Sequence, residues 1–224
     1  MPVLDRQARA VLARPLEVAA RLLDRPGITP DRLTVVGLLV GLACAAAAAA
    51  QWWWPALLLW GASRWLDGFD GPLARRRAAR EGTTPGGAGG FLDITADMVV
   101  YAATTLGVLV GVTLAAGDGA SPWRTWAPFV AVLATYYVNG AAFLAFSSVA
   151  ERVGAPIDDG RSLSFLGGLA EGTETVVVHA LWLLLPGVAW AVAWVWAVVV
   201  ALSAGYRVLG GYRILVRADR EVDA

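Results

Sequence analysis

The stretch Asp67-Gly-Phe-Asp-Gly-Pro-Leu-Ala-Arg75 ends one apolar run, and Gly89-Gly-Phe-Leu-Asp-Ile-Thr-Ala-Asp97 opens the next. The two aspartates of the first stretch are three residues apart and those of the second are four apart. In a helix, residues at these spacings share one face. Four carboxylates meeting at the end of a helical hairpin would repel one another unless cations neutralised them. Because carboxylates beside a membrane span are costly and usually functional, the two stretches predict a metal site.

The composition is that of a membrane protein. The 224 residues are 58% hydrophobic and 16% charged, with a mean hydropathy of +0.59, values far from those of an ordinary soluble domain. Most of the eleven tryptophans lie near the ends of apolar runs, as expected for residues at a membrane interface. Cys44 is the only cysteine, so no intramolecular disulfide is possible.

Apolar segments predict an all-α integral membrane protein. A span needs about 20 apolar residues, and we place six transmembrane helices over residues 33–50, 52–67, 92–116, 125–149, 163–185 and 187–209. Residues 3–23 alternate arginines with apolar side chains, which predicts an amphipathic interfacial helix or, equally, a solvated helix packed on the domain. We therefore predict one domain over 1–224, with an interfacial helix in 1–27, a six-span core in 28–215 and a cytoplasmic tail in 216–224.

The arginines predict the orientation of the chain in the membrane. If both termini are cytoplasmic, 17 of the 18 arginines fall on that side and only Arg124 falls on the other. Such an excess of positive charge is typical of the cytoplasmic side of membrane proteins. The sequence thus predicts a multi-pass protein of the cytoplasmic membrane, with both termini and the aspartates at the cytoplasmic face.

The residue types around the aspartates favour a hard cation and a phosphate ligand. Oxygen-only ligands suit magnesium, manganese or calcium rather than zinc. Two such ions would neutralise the carboxylates and present positive charge to a phosphate. Neighbouring glycines would let phosphates approach the backbone, and Arg75 could donate two hydrogen bonds to one. The combination predicts phosphoryl transfer; the candidate ligands are Asp67, Asp70, Asp93 and Asp97.

Together the two stretches form the pattern Asp-x2-Asp-Gly-x2-Ala-Arg…Gly-x3-Asp-x3-Asp, which resembles the signature of the CDP-alcohol phosphotransferases (CDP-alcohol phosphatidyltransferases). Ile28-Thr-Pro-Asp-Arg-Leu-Thr34 is similar to the segment with which that family enters its first span. The resemblance is specific over residues 28–100 and only architectural beyond them. Its eight fixed positions are Asp67, Asp70, Gly71, Ala74, Arg75, Gly89, Asp93 and Asp97.

The resemblance implies a role for each matched residue. Two divalent ions, Mg²⁺ or Mn²⁺, would be held by Asp67, Asp70 and Asp93, with Asp97 close enough to touch one. Asp97 is also the implied general base, which takes the proton of the attacking hydroxyl. Cytidine diphosphate would be bound by Thr34, Gly71, Ala74, Arg75 and Gly89, with Asp31 as a further candidate.

The implied activity is transfer of a phosphatidyl group from CDP-diacylglycerol to a small polar alcohol, with release of CMP, in phospholipid biosynthesis. The alcohol could itself carry a phosphate. Within the family the roles can be reversed, with a small CDP-alcohol as donor and diacylglycerol as acceptor. A divalent-cation transporter is the alternative from another class, because intramembrane acids also mark ion pathways. The resemblance further implies a homodimer surrounded by membrane lipids, and we expect no nucleic-acid partner.

The sequence departs from the family pattern at two places. Asp31 stands where asparagine is usual, and it could alter base recognition or cap the first helix. Residues 76–88 make the spacing between the two motifs longer than usual, and their charged, then Gly-rich composition predicts a cytoplasmic loop. We expect Gly86–Gly90 to form a hinge. Arg76, Arg77 and Arg80 are predicted to contact lipid headgroups.

Candidates for the acceptor pocket lie in the second half of the chain. Glu171 and Glu174 share a helix face and could line it, although both would be solvated if this segment lies in the interface. Arg161 and Arg207 could bind a phosphate on the acceptor, or they could reflect only the excess of cytoplasmic positive charge. His179 is the only histidine, and we predict a packing role for it.

Overall fold

The computed structural model describes residues 18, 20–25, 27–84, 87–152 and 172–222. Within these ranges the all-α prediction is confirmed, since helices are joined by turns and by two short 3-10 segments, Pro122–Arg124 and Pro186–Val188. The helices are α1 (Pro30–Ala49), α2 (Trp53–Glu81), α3 (Gly87–Ala116), α4 (Ala127–Arg152), α5 (Gly172–Leu184) and α6 (Ala189–Val222). Each predicted span overlaps one of them.

The protein is a multi-pass integral membrane protein. Large apolar side chains point away from the bundle, among them Leu58 and Val195, which are 74% and 66% exposed and suit lipid rather than water. The count of six spans stays a prediction, because α2 is charged in its second half and α5 has only 13 described residues. Among the described residues, four segments are long and apolar enough to cross a bilayer: Pro30–Ala49, Gly87–Ala116, Ala127–Arg152 and Pro186–Ala218.

The predictions for the two ends of the chain were an interfacial helix at the N-terminus and a cytoplasmic tail at the C-terminus. The proposed interfacial helix over residues 1–27 lies largely outside the described residues, which include a helical turn at 20–23. At the other end, α6 continues as a helix through Val222. Most of the segment predicted as a tail, residues 216–224, is therefore an extension of the last helix.

Helix α1 packs against both α2 and α3, while α4 packs mainly against α6. Small residues let α1 and α3 approach closely: Gly107 faces the backbone of Ala45, and Gly111 faces that of Ala48. Such small-residue contacts are the usual way in which membrane helices pack. Because α1 and α3 both carry candidate site residues, this contact fixes the spacing of the site.

Gly107→Ala should destabilise the fold strongly. The added methyl group would overlap the carbonyl oxygen of Ala45, and because that atom is backbone, the helices would have to separate. Overpacking of this kind costs about 1–3 kcal/mol. Thermal unfolding of the detergent-solubilised protein should show a lower midpoint, whereas Gly61→Ala, which meets nothing within 4 Å, should show no loss. Equal midpoints for the two variants would contradict the packing described here.

The start of α1 is defined by a side-chain cap. The Thr29 hydroxyl accepts a hydrogen bond from the backbone N–H of Arg32 at 3.2 Å, and Pro30 occupies the first helical position, both common at helix N-termini. Asp31 lies in the first turn, where its charge favours the helix dipole. The residue that caps the helix is therefore Thr29, and the alternative that Asp31 does so was wrong.

Helix α2 extends further than predicted. Residues 76–81 continue the helix, which ends when Gly82 adopts a left-handed conformation (φ 66°), as glycine does readily at helix C-termini. Gly87–Gly90 form the first turn of α3. The predictions of a cytoplasmic loop over 76–88 and of a hinge over Gly86–Gly90 were therefore wrong for most of their length; residues 85–86 lie outside the described ranges.

An aspartate ties the chain before α1 to the end of α2. Asp24 accepts hydrogen bonds from Arg77 at 3.1 Å, from Arg80 at 3.2 Å and from Arg76 at 3.3 Å. Arg77 also donates to the carbonyl of Ile28 at 2.7 Å. The three arginines predicted to contact lipid headgroups thus bind this carboxylate, and their contact with lipid stays a prediction. We call this group the Asp24 clamp.

Asp24→Asn should lower the unfolding temperature at neutral pH but not in acid. The hydrogen bond from Arg77, with smaller contributions from the charges of Arg80 and Arg77, lowers the pKa of Asp24 below its ordinary value although burial opposes this. A carboxyl with a lowered pKa in the folded state stabilises the fold above its unfolded-state pKa. That stabilisation is lost as the pH falls through the folded-state pKa.

Unfolding midpoints of wild type and Asp24→Asn from pH 7 down to pH 3 would test the clamp. Glu81→Gln is the control, because it removes an exposed carboxylate at the end of α2 that is not part of the clamp. The two curves should converge at the acid end. A gap that stays constant with pH would show that the effect of Asp24 is not electrostatic.

Candidate active site

Three aspartates from two helices meet at one point. Asp67 and Asp70 lie on one face of α2, and Asp93 lies in the second turn of α3. One carboxylate oxygen from each residue can be chosen so that all three lie within 4.8 Å of one another. We call these residues the Asp triad. Asp70 is buried, and the other two are partly exposed, so a ligand could reach the cluster from one side.

Asp70 is fixed by two hydrogen bonds. The hydroxyl of Thr34 on α1 donates to Asp70 Oδ2 at 2.6 Å, and the backbone N–H of Gly71 donates to Oδ1 at 2.6 Å. Each carboxylate oxygen still has a lone pair for a cation. Thr34, predicted to touch the nucleotide, therefore orients an aspartate of the triad, and a nucleotide contact for it stays a prediction.

Asp97 is placed differently from the other three aspartates. Its Oδ1 accepts a hydrogen bond from the guanidinium of Arg64, which also lies 3.6 Å from Asp67 Oδ2. The Asp97 side chain is 31% exposed, so a ligand could reach it. The structure thus brings Asp97 to the edge of the Asp triad, and its roles as ligand and general base stay predictions.

Arg64 is the site residue that the sequence motif did not reveal. It precedes Asp67 by one helical turn, and its guanidinium lies between the rings of Trp60 and Tyr101, 5.2 Å from each centroid. Only its (i, i+3) spacing from Asp67 could have indicated the contact. The more important partner, Asp97, is 33 residues away on another helix, and no local pattern predicts that pairing.

The other residues predicted to bind nucleotide lie on α2 and at the starts of α1 and α3. The guanidinium of exposed Arg75 lies over Gly71, where a Cβ would stand 3.3 Å from Nη1. A Cβ at Gly89 would stand 3.5 Å from Asp31 Oδ1, so the starts of α1 and α3 meet there. Ala74 lies partly exposed on α2. The binding roles of these residues stay predictions.

The acceptor candidates are only partly described. Arg207 is 6% exposed, donates to Asn139 Oδ1 at 3.1 Å and stacks over Phe143 at 5.7 Å. Glu174 lies in the first turn of α5, and its Oε2 is buried without a hydrogen-bond partner among the described residues. The remaining two, Arg161 and Glu171, lie outside those residues. Arg207 is therefore a buried cation inside the bundle rather than a surface charge.

His179 packs in an aromatic core, as predicted. Its ring is fully buried, stacks on Trp60 at 4.9 Å and lies 2.8 Å through Nδ1 from the carbonyl of Thr175. Its second nitrogen lies 3.3 Å from the Thr105 hydroxyl. With both nitrogens satisfied and no exposed edge, His179 supports the helices behind Arg64.

The Asp triad fits a hard divalent cation. Its donors are all carboxylate oxygens, which magnesium and manganese prefer over nitrogen or sulfur. Three carboxylates this close are mutually repulsive, and Arg64 is the one arginine found against them in the described part of the chain. A bound cation would supply the missing positive charge. Asp67, Asp70 and Asp93 are thus the residues that could hold the metal.

Comparison with known proteins places this site in a family. The sequence model described as CDP-alcohol phosphatidyltransferase matches residues 27–203. Inner membrane protein YnjF of Escherichia coli is 36% identical over 221 residues, which cover 98% of this chain and 100% of that protein. The chain therefore belongs to the CDP-alcohol phosphatidyltransferase family, which confirms the resemblance drawn from the aspartate pattern.

Two further relatives are named after lipid synthases. The archaetidylinositol phosphate synthase of Pyrococcus horikoshii is 32% identical over 103 residues, which cover 46% of this chain and 52% of that one. The phosphatidylinositol phosphate synthase of Mycobacterium tuberculosis, solved with CDP-DAG bound, has a TM-score of 0.69 and 22% identity. The match covers 89% of this chain and 94% of that structure, and at this identity it shows the shared fold.

Proposed function

We propose that this protein transfers a phosphatidyl group from CDP-diacylglycerol to a small polar alcohol and releases CMP, a step of phospholipid biosynthesis that depends on Mg²⁺ or Mn²⁺. The Asp triad carries the proposal: three carboxylates have oxygens within 4.8 Å of one another, and the backbone of Gly71, over which the guanidinium of Arg75 lies, donates to one of them. Family membership supports the reaction class. The names of the synthase relatives support a lipid-linked donor.

The chain's own residues supply binding, orientation and a base. The Asp triad would hold two ions, which when bound would neutralise the diphosphate and stabilise charge in the transition state. Arg75 would bind a phosphate oxygen of the donor, and the small residues Gly71 and Gly89 would leave room for it. The free oxygen of Asp97 would take the proton of the acceptor hydroxyl. The acceptor oxygen then bonds to the phosphorus that carries the lipid, and the bond from that phosphorus to CMP breaks.

The acceptor is proposed to carry a phosphate of its own. Arg207 supports this, because it is a buried cation inside a membrane bundle, and ionisable residues in such positions usually mark binding sites. Asn139 holds it in one orientation, and a planar guanidinium suits a phosphate. The name of the archaeal relative also contains a phosphorylated alcohol. Glu174, Glu171 and Arg161 remain proposed neighbours of this pocket.

The site is proposed to face the cytoplasm, with both termini on that side of the cytoplasmic membrane and two copies forming a homodimer. The distribution of arginines supports the orientation, because all but Arg124 would lie inside. Cytidine nucleotides are water-soluble, so the released CMP would leave on that side.

The test is CMP release by the purified protein with CDP-diacylglycerol and Mg²⁺, against a panel of free and phosphorylated alcohols. CMP that appears only with one acceptor, and disappears with chelator, would establish the reaction and name the acceptor. Release only when diacylglycerol is given a small CDP-alcohol would establish the reversed roles. If neither pair reacts while the folded protein, reconstituted in vesicles, carries Mn²⁺ across the bilayer, the protein is a transporter and the proposal fails.

A further inference from the structure

Arg64 is a buried cation whose position is fixed from several sides. Its side chain is 9% exposed. Besides Asp97 and Asp67, the guanidinium donates to Ser63 Oγ at 3.1 Å and lies 3.5 Å from the Tyr101 hydroxyl. These contacts use the planar fork of donors that distinguishes arginine from lysine.

The surroundings prevent the guanidinium from turning away. Trp60 and Tyr101 lie on it with centroids at 5.2 Å, a cation–π arrangement that is stronger when desolvated. Ser63, which accepts one of its hydrogen bonds, is itself tied to the carbonyl of Gly37 on α1 at 2.8 Å. The charge of Arg64 is therefore a permanent part of the carboxylate cluster.

A permanent positive charge has two consequences for the cluster. The first concerns geometry: because Arg64 donates a hydrogen bond to Oδ1 of Asp97, rotation of that carboxylate is restricted and the direction of its other oxygen is fixed. The second concerns charge: a cation beside Asp67 and Asp97 offsets part of the negative charge that attracts divalent ions. Arg64 would therefore favour proton transfer by orienting Asp97, and it would lower the affinity of the cluster for divalent ions.

Building on the proposed function, we propose that Arg64 is a positioning residue of the transfer reaction: its guanidinium orients Asp97 toward the acceptor hydroxyl and weakens the hold of the Asp triad on its cations. Without Arg64 the cluster would bind divalent ions more tightly but react more slowly. If Arg64 served only to pack between Trp60 and Tyr101, its substitution would not increase the affinity for divalent ions, and affinity and turnover would not change in opposite directions.

The experiment compares wild type with Arg64→Gln, Arg64→Lys and Arg124→Gln, each full-length in detergent. Mn²⁺ binding is titrated by electron paramagnetic resonance, and CMP release is measured on the same samples. Arg64→Gln should bind Mn²⁺ about tenfold more tightly, as expected on losing a nearby unit charge in a high effective dielectric. Its turnover should fall about a hundredfold, within the range for a misplaced base.

The other two variants separate charge from geometry. Arg64→Lys keeps the charge, so its Mn²⁺ affinity should stay near that of wild type, but its single ammonium cannot hold both carboxylates, so turnover should still fall at least tenfold. Arg124→Gln removes a positive charge near Trp190 in the connection after α3, and it should change neither quantity. If Arg64→Gln does not fold, Arg64→Lys alone decides, because wild-type turnover in that variant would overturn the proposal.

The measurements distinguish an enzyme in which Arg64 has no positioning role from a protein that does not catalyse the reaction at all. Wild type that binds Mn²⁺ and releases CMP, with Arg64→Gln unchanged or weaker in Mn²⁺ affinity, would overturn the role of Arg64 and leave the enzyme reaction standing. Wild type that neither binds Mn²⁺ nor releases CMP would overturn both.

Discussion

Asp97→Asn should reduce acceptor-dependent CMP release about a thousandfold, the middle of the range for loss of a general base. The amide has nearly the size of the carboxylate and can still accept the hydrogen bond from Arg64 through its oxygen. It cannot take up the proton of the attacking hydroxyl. The fold should therefore remain while the chemistry stops. The measurement is the initial rate of CMP release at saturating CDP-diacylglycerol and acceptor.

Asp118→Asn is the matched control, since Asp118 is an exposed aspartate in the connection after α3 and its replacement should leave the rate unchanged. The unfolding midpoint of Asp97→Asn should be measured beside the rate. A variant that keeps more than a tenth of wild-type activity would show that Asp97 is not the base. A loss of rate that merely follows a loss of folded protein would show that it is structural.

Asp93→Asn should have two large effects of opposite sign. The metal-free protein should become more stable, because one of three carboxylates with oxygens within 4.8 Å of one another loses its charge and the repulsion between them falls. Activity should fall at least a hundredfold, because the Asp triad loses a ligand for the cations. Unfolding midpoints with and without chelator, together with CMP release, measure both effects.

Titration with Mn²⁺ is the control that separates loss of the metal ligand from relief of repulsion. Wild type should gain a large increase in unfolding temperature on titration with Mn²⁺, as expected when a ligand binds only the folded state, and Asp93→Asn should gain little. Asp70→Asn should relieve less repulsion than Asp93→Asn, since Asp70 already receives hydrogen bonds from Thr34 and Gly71. If Asp93→Asn lowered the unfolding midpoint of the metal-free protein, the Asp93 carboxylate would stabilise that state, which would contradict the repulsion proposed here.

The sequence predicted the parts of the site that depend on local spacing. Helical periodicity places Asp67 beside Asp70, and the apolar run after Asp93 requires a second helix at that point. Contacts between distant segments were not accessible in this way. The pairing of Arg64 with Asp97 and the bond from Thr34 to Asp70 join residues 33 and 36 positions apart. They follow from the packing of α2 and α3 on α1; in the contact between α1 and α3 the close approach depends on glycines such as Gly107.

The prediction from sequence was wrong for residues 76–81, where a charged composition suggests a loop but the residue types favour a helix. Residues 76–81 were predicted as loop because they are charged, yet arginine and alanine are among the best helix formers. The helix continues until Gly82 ends it. The Asp24 clamp could not be foreseen either, because Asp24 and Arg77 are 53 positions apart. Both errors concern the same end of α2, where tertiary contacts and helix propensity outweigh the expectation that charged segments form loops.

If α2 crosses the membrane as proposed, its length sets the depth of the Asp triad in the bilayer. From Trp53 to Asp70 the helix rises about 26 Å at 1.5 Å per residue, close to the roughly 30 Å of a hydrocarbon core. A spanning helix of this length that began at one boundary of the bilayer would present Asp67 and Asp70 near the other boundary, close to the level of the lipid phosphates. A donor anchored by two acyl chains would meet the carboxylates without leaving its leaflet, and a water-soluble acceptor would arrive from the opposite direction. The length of α2 would thus place the carboxylates at a depth that both a lipid donor and a water-soluble acceptor can reach.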